Sequence, residues 1–492
     1  MNDLLRGLAE IDESHARYET AHAYYTGCVD EVWANSHMAR ILRRSGERYR
    51  VNFAKTVVNV VADRLEIAAV TVPGDETATK ALQERVWDAN DMLLETPEAI
   101  RLACVYGDYY MLVWPSDVDG DVDIWFNAPT TTRVIYEVEN PRRKAYAIKR
   151  WQADKRVRVN LYYADRIEKW VTAVDGQDGS ADTHWTEYLE DGQAWPLPNP
   201  YGEVPVFHLR TGGQYGTPEH FDAYGPQNAL TKIVATMVNT TDNAGFPVRY
   251  FLTEPGAMLD GDANMRPRWD DEADATEANR DLVNLAAGSG NILTLAGMRA
   301  AGQFDPADPK HFLDPSDWMV RALAQVTGTP MHYFDPSGDV PSGESLRTAD
   351  APLVKKVRYR QQRFGATYAE ALAFALKILG FGERKVDVRW TPATATDDLD
   401  SWTTAKAKID AGVPVRQTLL EQGYTAEQVD GWITATGEEN LAQRVALYAS
   451  LARGTKDMGA AVSLNAITSE TANAAANALL GEIAAGPELE AA

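Results

Sequence analysis

Cysteine is scarce in this chain of 492 residues: Cys28 and Cys104 are the only two. They form no C-x-x-C pair and no disulfide framework, so a redox motif and a stapled secreted scaffold are both excluded, and a reducing compartment fits. Long apolar runs are missing too. No stretch of eighteen apolar residues occurs, and the opening segment MNDLLRGLAEIDES is charged early and lacks the apolar centre of a signal peptide. Neither a membrane span nor a membrane partner is expected. Positive charge is in deficit, with 48 basic against 71 acidic residues and a formal net charge of -23. Such a surface does not gather DNA or anionic lipid by bulk attraction; it is a solvated face or a wall that repels phosphate.

The signatures of catalysis are also absent. There is no H-E-x-x-H, and none of the eight histidines pairs with a cysteine at ligand spacing. His15 and His22 lie seven apart and are a weak metal pair at best. Asp117 to Asp123, DVDGDVD, alternates carboxylates around a glycine. The twelfth position of a calcium loop would be Ala128 instead of glutamate, so a hairpin turn is the simpler reading. GFGERK at 380–385 lacks the glycine spacing and hydroxyl of a phosphate loop, and neither G-x-G-x-x-G nor G-x-S-x-G occurs. Ser342 and Ser345 have only His332 nearby, so Ser342 is read as a helix cap and Ser345 as first-turn. No metal, cofactor or catalytic residue is expected.

What is present is globular: 45% hydrophobic and 24% charged residues, with 13 Trp and 21 Tyr. The length allows two to four domains. Helical periodicity covers residues 1 to about 68, with Leu4, Leu5, Leu8 and Ile11 in one stripe and NFAKTVVNVVADRL, Asn52 to Leu65, in another. A break at Thr71–Thr77 precedes helices at Ala78–Asn90 and Pro97–Tyr106. The period then changes to two. DYYMLVWPSDVDGDVDIWF reads as two strands around Asp119-Gly120. Further antiparallel strands are predicted at Arg133–Val138, Ala145–Arg150, Val157–Tyr163 and Arg166–Val171, and a last one in NPYGEVPVFHLR. Thr217–Asp242 reads as a helix. Residues from Phe246 to about Pro309 are irregular, with strand-like PVRYFLT and NILTL and an acidic run holding Asp270, Asp271, Glu272 and Asp274. A short helix at 313–327, with Ser316 as candidate cap, leads into TGTPMHYFDPSGDVPSGESLR. Beyond it, Glu344 to Leu379 has helical pattern for about 54 Å, with Pro352 inside. A strand at Val386–Trp390 and short helices with glycine stops at 412 and 423 follow. The Ala-rich tail after about 456 is loosely helical or disordered.

Two features stand out. One is the Pro- and Gly-broken loop between two helices, with the cluster Met331, His332, Tyr333, Phe334. The other is the basic run KKVRYRQQR, whose Lys355, Lys356, Arg358, Arg360 and Arg363 wrap round the helix. Those five are either salt-bridge partners for the acidic excess, within the chain or between copies, or phosphate contacts.

The helix ending Val326-Thr-Gly-Thr-Pro330, the loop reaching Pro341-Ser-Gly-Glu-Ser-Leu-Arg347, and the long helix with Lys355, Lys356, Arg363, Phe364 and Gly365 together resemble the portal proteins of tailed bacteriophages, in the branch with a gp6-like portal. VNFAKTVVNVVADRL, PYGEVPVFHLR, VDVRW and AGVPVRQTLLEQG fit the same order, so the likeness runs from about 10 to 440.

The resemblance implies an α+β subunit of a portal-type ring, with a helical stem, a mixed α/β wing, a small α/β clip and a helical crown. It implies twelve copies at one capsid vertex in the virion, made in the host cytoplasm, with double-stranded DNA passing through during packaging and ejection and no catalytic site. Its partners would be terminase, a head-completion or adaptor protein, and the major capsid and scaffolding proteins. The expected division is 1–215 N-terminal helices and wing, 216–245 first stem helix, 246–308 clip and 309–327 second stem helix. Then come 328–342 tunnel loop, 343–380 long helix, 381–395 returning strand, 396–455 crown and 456–492 tail. The tunnel loop would offer Met331, His332, Tyr333, Phe334, Asp335, Ser337 and Asp339 to DNA, or pack its aromatics behind the bore. The acidic run at 270–274 would be a clip partner surface. The competing classes are a non-catalytic minor capsid or adaptor protein and, further off, a polymer-processing hydrolase.

Overall fold

The computed structural model describes residues 2–29, 51–117, 120–180, 183–188, 194–245, 249–253, 257–259, 265–267, 298–303, 310–335, 343–394, 398–421, 424 and 426–436. Ser337, Asp339, Ser342, NILTL at 291–295, the acidic residues Asp270, Asp271, Glu272 and Asp274, and the tail after 456 lie outside the described residues.

The chain opens with α1 (Asn2–Thr26) and α2 (Phe53–Ala62), then β1 (Ile67–Thr71), α3 (Glu76–Leu82, running into a π-helical turn, Gln83–Asp88) and α4 (Met92–Tyr106). Among the described residues, nine strands follow: β2 (Asp108–Pro115), β3 (Val122–Asn127), β4 (Thr132–Tyr136), β5 (Lys144–Ala153), β6 (Arg156–Tyr162), β7 (Arg166–Thr172), β8 (Trp185–Glu187), β9 (Leu197–Pro198) and β10 (Val206–Arg210). Next come α5 (Tyr224–Gly245) and the short strands β11 (Arg249–Thr253), β12 (Ala257–Leu259), β13 (Met265–Pro267) and β14 (Met298–Gln303). After them lie α6 (Lys310–Thr327), α7 (Gly343–Ile378), β15 (Asp387–Trp390), α8 (Asp398–Asp410), α9 (Val415–Glu421) and α10 (Ala426–Thr436).

The expected β unit is two antiparallel sheets. One runs β4-β5-β6-β7-β8, with β9 also on β7; the other is β10-β2-β3, with Val206 opposite Leu112 and Arg210 opposite Asp108. Alternation sorts their side chains into layers. Ile135, Tyr146, Ile148, Val159 and Leu161 face α1, where Leu4, Leu8 and Ile11 meet them. The other face, with Val134, Tyr136, Ala147 and Tyr162, packs on Tyr110, Leu112 and Val206 of the smaller sheet. The far side of that sheet, through Met111, Val113, Phe207 and Leu209, packs against α2, α4 and α7. Because β2 is covered on both faces, its sequence YYMLV is an unbroken apolar run where half-buried strands alternate.

Several expectations are corrected. The helical block expected to run to about 68, with a break from Thr71, gives way earlier: residues 67–71 form β1, which pairs antiparallel with β15 (Thr71 opposite Asp387), so the returning strand docks there and not on either larger sheet. The helix expected from Thr217 starts at Tyr224. Upstream, Thr217 N–H bonds Thr211 Oγ1 and Glu219 N–H bonds the Cys104 carbonyl, and Thr217 precedes a proline, which disfavours helical backbone. Ser316 does not cap α6. That helix begins at Lys310, and Ser316 Oγ donates to the Phe312 carbonyl at 2.8 Å. The second early helix begins at Met92, five residues before Pro97. Pro352 does not end α7, which runs for 36 residues.

Candidate functional site: the loop between the two helices and its anchors

The segment after α6 is shaped by local chemistry. Gly328 takes φ +64°, a left-handed value that glycine adopts without a Cβ clash, and Thr329 N–H returns to the Ala324 carbonyl at 3.0 Å, closing the helix end. Pro330 then opens a single 3-10 turn, Met331–Tyr333, closed by Phe334 N–H to the Met331 carbonyl at 2.9 Å.

The turn is rooted in the subunit. Phe334 is buried, its ring edge-on to Phe53 at 5.5 Å, in a cluster with Tyr24, Ala54, Val57, Ala223, Leu323 and Ala324. That cluster joins α1, α2, the approach to α5, and α6, so the ring of Phe334 is turned into the junction of the helices. Met331 packs on the same cluster. Tyr333 is half-buried. Its hydroxyl accepts from Arg64 and lies 3.4 Å from Asp350, while Arg64 Nη2 donates to Asp350 Oδ2 at 2.8 Å. The His332 ring lies tilted against Tyr333, centroids 4.3 Å apart, with Nε2 3.4 Å from Asp350 Oδ1. Asp350 lies in the second turn of α7, so the loop is tied to the helix it leads into. Asp335, where the described part of this segment ends, is exposed.

The basic run divides. Lys356 Nζ reaches Glu219 Oε2 at 2.7 Å, and Arg360 pairs with the other oxygen of that carboxylate and donates to the Thr211 carbonyl. The Glu219 side chain is 1% exposed. Burial opposes its ionisation, but the two cations outweigh it and hold the carboxyl below its ordinary range. Arg363 Nε donates to Tyr359 OH at 2.6 Å. Lys355 and Arg358 point the other way, exposed, without an ion-pair partner among the described residues. Both readings of the run therefore have residues: an internal clamp, and a free outer pair.

A second buried network sits between the layers. Asp108 is fully buried. Its oxygens accept from Arg17 Nη2 (2.9 Å), Tyr18 OH (2.7 Å), His208 Nε2 (2.9 Å) and the Gly216 N–H. His208 Nδ1 accepts from Tyr136 OH at 2.9 Å, which makes the ring the neutral Nε2–H tautomer. Desolvation lowers the pKa of His208. The Asp108 pKa is also lowered, because His208, Gly216 and Tyr18 outweigh the burial that opposes its charge. The network ties α1 to both sheets and to the approach of α5.

Sequence reasoning missed Arg64, Asp108, Glu219 and Asp350. Asp108 left one signal, a carboxylate at the head of an otherwise apolar strand. Of the two histidines seven apart, His15 bonds Glu19 at 3.0 Å and His22 stacks on Tyr106 at 6.0 Å. No group of three or more metal-ligating side chains is assembled among the described residues, and no described helix is long and apolar enough to cross a membrane.

Residues 7–439 match the family model for phage portal proteins, SPP1 Gp6-like. The portal protein of Mycobacterium phage L5 is 24% identical over 415 residues, covering 77% of this chain and 76% of its own length. That of Mycobacterium phage D29 is 24% identical over 433 residues, covering 82% and 81%. Among solved structures, a chain from the neck of an empty GTA particle is 14% identical with a TM-score of 0.43, covering 79% of this chain and 94% of its own length. With all but its two ends inside the family match, this chain belongs to the SPP1 Gp6-like family of phage portal proteins.

Proposed function

We propose that copies of this chain close into a ring at one capsid vertex and form the channel through which double-stranded DNA is packaged and later ejected. The observation that carries this reading, beside the family, is the loop between α6 and α7. Its root is held by Phe334 in a junction of helices and by Arg64 and Asp350, while Asp335 emerges exposed. A loop whose root is held by rigid helices is what a channel constriction needs.

In this reading 328–342 is the tunnel loop. Tyr333 and Phe334 anchor it, Met331 and His332 flank the anchor, and Asp335, Ser337 and Asp339 face the DNA. The division into wing, stem, clip, long helix and crown follows the boundaries given above, with Asp270, Asp271, Glu272 and Asp274 on the clip. The net charge of -23 suits a wall that lets phosphate pass. Twelve copies, terminase, a head-completion protein, and capsid and scaffolding proteins complete the assembly in the virion. The helix-borne clamp of Lys356 and Arg360 on Glu219 is internal to the subunit and ties α7 to the approach to α5.

Native mass spectrometry and images of the purified chain test the reading. A closed ring whose mass is an integer multiple of 54.3 kDa, with a central hole, is expected; a monomer at every concentration would overturn it.

A further inference from the structure

We propose that neighbouring subunits meet through a plug and a groove: the first turn of α4 in one copy seats in a groove along the outer face of α7 in the next. The proposal deepens the ring reading and rests on it.

The plug is an anomaly of exposure. Leu93 and Leu94 stand side by side, 71% and 74% exposed, while Met92, Ala99 and Ile100 of the same helix are buried in the core. Asp91 and Glu95 flank the leucines, exposed and without an ion-pair partner among the described residues. The chain enters this turn through Asp91 in the left-handed region, at φ +48°, a conformation that costs free energy in any residue with a Cβ. A strained entry and two uncovered leucines are what a contact would require and an isolated surface would not.

The groove has the complementary chemistry. Two hollows of about 400 and 440 Å³ adjoin along α7, both bordered by Arg358 and Gln362. Small residues floor it: Ala351 in one, Gly365, Ala366 and Ala369 in the other. Trp390 of β15 walls the second hollow. It stands so close that a Cβ on Gly365 would lie 2.8 Å from its indole nitrogen, which accounts for a glycine inside a long helix. Lys355 and Arg358 line the groove; of the run's five cations, Lys356 and Arg360 are taken by Glu219 and Arg363 turns to the Tyr359 hydroxyl, which leaves these two.

Leu93 and Leu94 are uncovered at the helix entry and the groove lies along the exposed side of α7, so neither covers the other within a subunit. Two leucines between carboxylates match the first hollow, where a small apolar floor lies beside Lys355, Arg358 and Arg347; the one carboxylate of the second hollow, Asp387, is paired with Arg389. Because the two patches differ, the contact is head-to-tail, and such contacts close into rings when the rotation permits.

Three variants of the full chain test this: Lys355→Glu with Arg358→Glu, Asp91→Asn with Glu95→Lys, and all four together. Asparagine is chosen because it tolerates the left-handed backbone. Each double variant should keep the wild-type thermal midpoint and raise the concentration for half-assembly at least about tenfold. The quadruple variant should recover most of that loss. Double variants that assemble like wild type, or a quadruple variant no better than either, would overturn the plug while leaving the ring standing. Unimpaired assembly with weakened DNA binding would assign the groove to phosphate instead. A wild-type chain that never assembles would remove the ring reading itself, and this inference with it.

Discussion

Single buried side chains set much of the stability of this subunit, and their protonation gives it a sign. His220 Nε2 donates to the Ala21 carbonyl at 2.9 Å, and desolvation lowers its pKa to about 4. The unfolded chain therefore takes up this proton first as pH falls. The stabilisation is complete above the ordinary imidazole value and is lost between there and about pH 4, a loss of about 3 kcal/mol. His208 is shifted in the same direction. The carboxyls of Asp108 and Glu219, held below their ordinary values, contribute stability above the carboxylate range that is lost in more acid solution. The thermal midpoint should fall from pH 7 to 4 and fall again below. In His220→Asn the upper limb should flatten; an unchanged slope would show that the proton is taken up elsewhere. Glu219→Gln leaves Lys356 and Arg360, both largely buried, facing no carboxylate. Chemical denaturation should report a loss of about 3–5 kcal/mol, whereas a loss below about 1 kcal/mol would mean solvent replaces the carboxylate.

At the scale of the element, the rooted turn after α6 is the feature on which function turns. Truncating Phe334 empties the junction of four segments, so Phe334→Ala should cost about 3–5 kcal/mol. Arg64→Ala should speed amide exchange across 331–335 while leaving β5 and β6 protected; equal protection would show that the hydrophobic anchor alone suffices. These anchors were poorly legible in the sequence, and the reason is physical. Periodicity reports which face of an element is apolar, so the strands from Thr132 to Thr172 and the long helix were readable to within a few residues. It is silent on partners distant in the chain. IAAVT is five residues long, with two alanines, and becomes a strand only because Asp387–Trp390 arrives to pair with it. Arg64, Asp350 and Tyr333 are ordinary polar residues until folding brings them together. Ser316 is of a residue type that caps helices, but the helix begins at Lys310 and carries both Pro315 and Ser316 within it.

At the scale of the whole molecule, the account joins an acidic surface, a long helix with one face in the core and one outside, and a loop fixed at its base. The family accounts for the order of these parts, and the packing accounts for why Tyr333 and Phe334 hold the root of the loop. The most direct test places a photoreactive side chain at Asp335 in portal rings built into DNA-filled heads, with the same group at the exposed Glu187 of β8 as control. The account predicts that the group at 335 crosslinks to DNA and the one at 187 does not. Crosslinking from 187 and none from 335 would contradict it.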